Sequence, residues 1–362
     1  MQADTRKPIR IGTFLSLTGQ AAFLGSAEKK AIELLASDLN SKGGVIGRPI
    51  EIVFYDSKTS AKDAVSIVRR LIEQDAVDVI LGGSTTGESM AVIPFVQEER
   101  LPYMAISGAA AIVQPVKRYV FKTPHTEEMS LERIYDKVRS SGLTRIALLS
   151  GAGGYDQSCR ASAKEIAPKY GIEIVADELH GSGDTDMTVQ LTNIRASNAT
   201  ATVYCGFGAP SSIVAKNHRQ LGIKQRLIMT HGAASRAYIA GADGAAEGTW
   251  VTGSALLAFK DLPEEDAIYR VTKKFVDSYR AAYNEDPGTF SGYGYDALLL
   301  IAAAVEKAGS TEKEAVRDAL ESLSGVPGTN GVYAFSASNH LGFESASLRM
   351  LEVRDGEFRI LR

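Results

Sequence analysis

Short apolar runs of strand length alternate with apolar stripes of helical period from Ile9 onward. Ile9–Leu15 reads as a strand, and Ala27, Ala31, Leu34, Leu35 and Leu39 recur as one face of a helix. A glycine and proline turn over 43–49 leads into a strand at 50–55. Ala61, Ala64, Val65, Val68, Leu71 and Ile72 predict a second helix, followed by a strand at 77–81, a helix at 86–99 and a strand at 101–106. Strand, helix and strand in this order require crossover connections, so the strands run parallel with helices on both faces. Pro94 is expected to kink the third helix or to cost it a hydrogen bond.

The rhythm restarts after 119–122. Strands are predicted at 144–149, 172–178, 201–204 and 227–230, with helices at 127–140, from the 151–155 glycine loop to about 167, at 187–196 and at 211–221. Beyond 248–253 the pattern changes to long helices at 264–283, 290–307 and 311–323, a turn-rich stretch at 325–331, and short strands at 331–335, 347–353 and 358–361. Such a helix-rich tail is expected to pack back onto the earlier lobes. A length of 362 residues suffices for two domains with their own cores. With 44% hydrophobic and 23% charged residues and a net charge of −3, nothing calls for nucleic acid or an anionic membrane as partner. No apolar run reaches the length of a membrane span. The start, Met1 to Lys7, is polar and lacks an apolar signal core. It fits a cytosolic protein, or a mature secreted chain whose leader Met1 has replaced. Cys159 and Cys205 allow one disulfide, but spacing does not show them within reach, and the default expectation is two free, mostly buried thiols.

The stretch Leu81-Gly82-Gly83-Ser84-Thr85-Thr86-Gly87-Glu88 reads as strand, glycine turn and helix. Thr85 and Glu88 have capping-box spacing. Its small residues would let a ligand approach the backbone, and the helix start would suit an anion; an ordinary capped helix is the alternative. Catalytic motifs are missing: no phosphate-binding loop, no nucleophile elbow, no His-Glu-x-x-His. Gly151-Ala152-Gly153-Gly154 fails the dinucleotide fingerprint because its third glycine would fall at Asp156. Asp184 and Asp186 lie in a turn that lacks the rest of a calcium loop. Asn198-Ala199-Thr200 is a glycosylation triplet by pattern. The five histidines are scattered and there is no paired-cysteine signature, so neither metal nor cofactor is expected.

From Ile9 to near Leu361 the chain resembles the type I periplasmic binding proteins, solute receptors of ABC importers, in their branched-chain amino acid branch. The residues that carry the likeness are Gly12 to Gly19 with Gly25, Asn40-Ser41-Lys42-Gly43-Gly44-Val45-Ile46-Gly47-Arg48-Pro49-Ile50, Tyr55-Asp56-Ser57, Gly82-Gly83-Ser84-Thr85, Ile106-Ser107-Gly108-Ala109-Ala110 and Tyr293-Gly294-Tyr295-Asp296-Ala297. The resemblance implies an α/β fold of two doubly wound parallel-sheet lobes joined by three hinge crossovers, with ligand closed between them. Lobe one would be 1–122 plus 254–328 and lobe two 123–253 plus 329–362, with crossovers near Lys122-Thr123, Gly253 and Gly328. It further implies a periplasmic, monomeric, non-enzymatic receptor. Its partners would be a small-molecule carboxylate and the membrane permease of an importer.

By the same resemblance, Ser84, Thr85, Ser107, Ala109 and Ala110 would hold the ligand carboxylate from lobe one. The threonine that helps hold an α-amino group is replaced by Ala111, and the loop after the strand at 227–230 offers His231 where an acid is common. A buried ammonium without an anion is costly. By the resemblance, Phe23, Leu24, Tyr155 and Phe207 fall in the other cleft-facing loops and could sandwich a flat ring. Phe23-Leu24-Gly25 and Thr230-His231-Gly232-Ala233 resemble the aromatic-acid-binding branch of the family, so the expected ligand is an aromatic or 2-oxo carboxylate, benzoate-, cinnamate- or phenylpyruvate-like. The alternative is a receptor for a branched-chain or other aliphatic amino acid, whose ammonium would need an acid such as Asp156. A cytosolic α/β enzyme would need a catalytic constellation, and a sensor of this fold a DNA-binding segment before Ile9.

Overall fold

A computed structural model of the chain describes residues 7–181 and 183–361. The N-terminal stretch on which the leader expectation rests, up to Arg6, lies outside the described residues, as does Ser182 in the 181–186 turn. The chain divides into two compact units: 1–107 with 111–124 and 264–343, and 108–110 with 125–263 and 344–362. The main passages therefore fall after 124, 263 and 343, where crossovers were expected near 122, 253 and 328.

Unit one opens with strand β1 (Ile9–Leu15), helix α1 (Ala22–Ser41), β2 (Ile50–Asp56), α2 (Ala61–Glu73), β3 (Val79–Gly82), α3 (Thr86–Glu98), β4 (Tyr103–Ala105) and β5 (Val120–Lys122). Its five strands lie in the order β2-β1-β3-β4-β5, every pair parallel. In the register of this sheet Ile11 faces Ile52 on one side and Val79 on the other. Because helices cover both faces, β3, β4 and β5 are buried at every residue, which is why they read as continuous apolar runs.

Unit two continues with α4 (Glu127–Ser140), β6 (Arg145–Ser150), α5 (Gly154–Ile166), β7 (Glu173–Leu179), α6 (Thr188–Ala196), β8 (Ala201–Cys205), α7 (Ala209–Gln220), β9 (Arg226–Met229), α8 (Arg236–Ala242) and β10 (Trp250–Gly253). The chain then returns to unit one for α9 (Tyr269–Tyr283), α10 (Thr289–Ala308), α11 (Lys313–Glu321) and the strands β11 (Ser324–Pro327) and β12 (Val332–Ala334). It closes unit two with β13 (Arg349–Arg354) and β14 (Glu357–Ile360). The second sheet has the order β14-β13-β10-β9-β8-β6-β7, parallel from β7 to β10 and antiparallel at β13 and β14.

The two-lobe α/β architecture with parallel sheets agrees with the expected fold class. The helix-rich tail does pack back onto an earlier lobe, α10 lying along α1 in unit one. Its close approach needs Gly294, where a Cβ would stand 2.9 Å from the Glu28 carbonyl oxygen. Several details differ from the sequence reading. The helix expected from 264 begins at Tyr269. Part of the turn-rich 325–331 stretch is strand β11, closed into a hairpin with β12 by the Gly328 N–H donating to the Gly331 carbonyl at 2.8 Å. Pro94 sits inside α3 without ending it. The carbonyl it fails to bond belongs to Met90, an exposed residue, so water can take that bond.

The cysteines are a correction. Cys159 of α5 and Cys205 at the end of β8 form a disulfide, with a Cα–Cα separation of 5.7 Å. Sequence separation hides this proximity, because helix and strand meet only through the sheet order β8-β6-β7.

The Asn40–Ile50 segment proves to be scaffold. The Asn40 side chain donates to the Ile50 carbonyl at 2.9 Å and accepts from the Ile50 N–H at 2.7 Å, closing the glycine turn between them.

Candidate functional site

In unit one the candidate residues gather at the loop that leaves β3. Thr85 caps α3 as its spacing predicted: its hydroxyl accepts from the Glu88 N–H, and the Glu88 carboxylate accepts from the Thr85 N–H at 2.9 Å and the Thr85 hydroxyl at 2.7 Å. Glu88 is buried and also accepts from the hydroxyls of Ser16 and Ser57. The two glycines before the cap serve internal packing rather than ligand approach. Gly83 has φ +78°, and a Cβ there would lie 2.1 Å from Ser89 Oγ.

The hydroxyls expected to face a carboxylate already have partners inside unit one. Ser84 Oγ accepts from the Ser16 N–H at 3.0 Å and lies 2.5 Å from Glu28 Oε2. Ser107 Oγ donates to Ser89 Oγ at 2.8 Å, and Tyr103 OH reaches the same atom at 2.9 Å. Thr86, in the first turn of α3, is buried with its hydroxyl unpartnered, a donor the sequence reading missed. Phe23 is half-buried and edge-on to Phe290 at 5.7 Å, while Leu24 is buried one turn before Glu28.

Glu28 was also missed. It is fully buried on the face of α1 that carries Leu24, Ala31, Ile32 and Leu35, and a carboxylate on that stripe was the available signal. Burial pushes its carboxyl up to about 8, with the Ser84 bond acting against this and the charge of Glu88 adding to it.

In unit two, Tyr155, Phe207 and His231 gather in a cluster of their own. Tyr155 stands in the first turn of α5, 7% exposed, with Phe207 edge-on at 6.4 Å and His231 edge-on at 5.3 Å. Its hydroxyl is 3.3 Å from His231 Nδ1. Gly108–Ala110 groups with this unit rather than with unit one, where Ala109 and Ala110 were expected. Gly108 lies against the Tyr155 ring and His231 Nε2, both 3.1 Å from where its Cβ would be. The Ala110 N–H, expected to face a ligand, donates to Glu127 Oε2 at 2.9 Å.

Asp156 follows Tyr155 and is 6% exposed. Its Oδ2 accepts from the Gly153 N–H at 3.0 Å, and its Oδ1 is buried without a hydrogen-bond partner. Burial lifts its carboxyl to about 6, against the pull of the Gly153 bond and of His180. A desolvated carboxylate with one open oxygen is a place for a cation or a donor from a ligand.

Among the described residues there is no cluster of three or more histidine, cysteine or acidic side chains placed to hold a metal ion. No described helix is long and apolar enough to cross a membrane.

A family model described as periplasmic binding protein matches residues 8–357. The leucine-, isoleucine-, valine-, threonine- and alanine-binding protein of Pseudomonas aeruginosa is 24% identical over 329 residues, covering 88% of this chain and 83% of its own. An extracellular ligand-binding receptor from Rhodopseudomonas palustris superposes with a TM-score of 0.91 at 26% identity, over 98% of this chain and 100% of that one. The substrate-binding protein LivJ of Streptococcus pneumoniae, solved in complex with isoleucine, superposes with a TM-score of 0.87 at 24% identity, over 98% and 99% of the two chains.

Proposed function

The chain belongs to the type I periplasmic binding protein family, the solute receptors of ABC importers, and from that premise we propose that its solute is a small aliphatic α-amino acid. The observation that carries this reading is Asp156, a buried acid beside Tyr155 whose Oδ1 lacks a partner. An α-ammonium would supply that partner and offset the cost of burying the charge. The name of the Pseudomonas aeruginosa relative, a leucine-, isoleucine-, valine-, threonine- and alanine-binding protein, supports the same chemistry. The carboxylate end would lie on the Ser84–Thr86 loop at the start of α3, where the helix N-terminus favours an anion. The buried disulfide suits an oxidising compartment such as the periplasm.

A second reading, an aromatic or 2-oxo carboxylate, draws on the Tyr155, Phe207 and His231 cluster and on the histidine that opens the loop after β9. Neither reading uses a catalytic group.

Asp156→Asn discriminates them. Calorimetric titration with leucine should show affinity lowered roughly 10- to 100-fold, the loss of one charge-assisted bond. The 2-oxo analogue of leucine should lose none. In the wild type, leucine affinity should fall as pH drops through about 6, where Asp156 takes up its proton. An equal effect on both probes, or none on leucine, contradicts the ammonium assignment.

A further inference from the structure

Glu28 has no ion-pair partner among the described residues. It is fully buried, its Oε1 has no hydrogen-bond partner, and Oε2 meets the hydroxyl of Ser84 at 2.5 Å. The charged and titratable groups around it are engaged elsewhere. On its own helix, Lys29 turns to Glu33 and Lys30 to Glu285. From β2, Asp56 accepts from Thr18, and the Tyr55 hydroxyl donates to Asp75. From α9, Lys274 pairs with Asp38. From α10, Asp296 accepts from Thr329 and Asn330, while Gly294 is what meets Glu28 itself. What remains to act on Glu28 is the carboxylate of Glu88 from α3 and the phenol of Tyr103 from β4. An ionised Glu28 would be a buried anion with one hydroxyl donor and an acid for a neighbour, a costly arrangement.

Ser84 Oγ has two acceptor positions and one hydrogen. The Ser16 N–H fills one acceptor position. If Glu28 is ionised, the Ser84 hydrogen must go to Glu28 and none is left for a solute. If Glu28 carries a proton, its O–H can fill the second acceptor position, and the Ser84 hydrogen is released.

The geometry points to Glu28 as a positioning residue: held as a neutral carboxylic acid, it donates to Ser84 Oγ and so turns the Ser84 hydroxyl into a donor for the anionic oxygen of the bound solute. This rests on the reading that a carboxylate lies on the Ser84 loop, and it holds for an amino acid or an aromatic acid alike. Above neutral pH, binding then takes its pH dependence from a group that never touches the solute. Burial raises the Glu28 carboxyl from its ordinary value to about 8. The protonated form persists at neutral pH and is lost as pH climbs through that value. The same sign applies to the fold: the contribution of Glu28 to stability is full in acid and disappears as pH rises through about 8.

The test is a calorimetric titration of the wild type, Glu28→Gln and Ser84→Ala with leucine and with benzoate, at about pH 7 and about pH 9. The wild type should lose about tenfold in affinity across that interval for whichever probe it binds. Glu28→Gln should show no such slope, because its amide N–H donates to Ser84 at either pH. Ser84→Ala should bind more weakly than the wild type and also without slope. A flat wild-type profile, or Glu28→Gln falling as the wild type does, overturns the role of Glu28 while a weakened Ser84→Ala leaves the carboxylate reading standing. Ser84→Ala binding as tightly as the wild type at neutral pH overturns the carboxylate reading itself, as does failure of the wild type to bind either probe. Should Glu28→Gln not fold, infrared difference spectra of the wild type give the answer. A protonated-carboxyl band present at about pH 7 and gone by about pH 9 supports the inference, and its absence at neutral pH overturns it.

Discussion

Asp296→Ala lowers the stability of the protein by about 3–5 kcal/mol in mildly acid solution, the cost of stranding several buried donors at once. Asp296 is fully buried on α10 and accepts from the Thr329 N–H at 2.7 Å, the Asn330 N–H at 3.0 Å, Asn330 Nδ2 at 2.9 Å and the Tyr333 hydroxyl at 2.9 Å. It thereby fixes the turn between β11 and β12 to the helix that packs on α1. Burial outweighs these bonds and lifts the carboxyl from its ordinary value to about 6. A raised carboxyl favours folding most when protonated, so its contribution is full below the ordinary carboxylate range and shrinks as pH rises through about 6. The gap between wild type and Asp296→Ala should therefore narrow from about pH 4 to about pH 8, the opposite of what a salt-bridged aspartate gives. Urea unfolding at several pH values measures it through the midpoint. A gap that widens with pH would show that the four donors, not desolvation, dominate.

Loss of the disulfide comes next in size. Joining positions 46 residues apart restricts the unfolded chain, and the loop-closure relation gives about 4 kcal/mol. Both sulfurs lie in the core of unit two among Leu131, Ile134, Leu148, Val203 and Ile228. Small side chains in their place remove little packing. Cys159→Ala combined with Cys205→Ala should lower the guanidinium midpoint, and a strong reductant under denaturing conditions should bring the wild type down to the same value. A double variant as stable as the oxidised wild type, or a wild type indifferent to reductant, would contradict the bond.

What the sequence made legible follows from periodicity and local chemistry. The parallel run of β1 to β4 could be anticipated because each strand is an apolar run bounded by turn residues, though not β5 or the strand order, and α3 because Thr85 and Glu88 cap each other within four positions. The 324–334 hairpin was hidden by its glycines, which read as turn alone. The Cys159–Cys205 bond was hidden because strand order, not spacing, brings α5 to β8. In the loops expected to hold a ligand, the directions of the polar groups could not be read. Ser84, Thr85, Ser107 and Ala110 were read as donors to a ligand, yet each is engaged by a residue distant in sequence or by its own cap. Glu28 shows the same limit from the other side, whereas Asp156 was named as a possible partner for an ammonium. A lone acid in a helical stripe looks like a surface residue until its burial is known.

The central claim is that the solute is an amino acid whose ammonium meets Asp156. It is tested most directly by thermal unfolding of the wild type with leucine, isoleucine and valine, set against their 2-oxo analogues and benzoate. A ligand that binds only the folded state raises the melting temperature, equivalent to about 2.7 kcal/mol at a hundredfold excess over its Kd. The account predicts a rise with the amino acids that is absent or much smaller with the analogues lacking an amine. A rise with benzoate or the 2-oxo acids alone would contradict it and leave the Tyr155, Phe207 and His231 cluster as the specificity element.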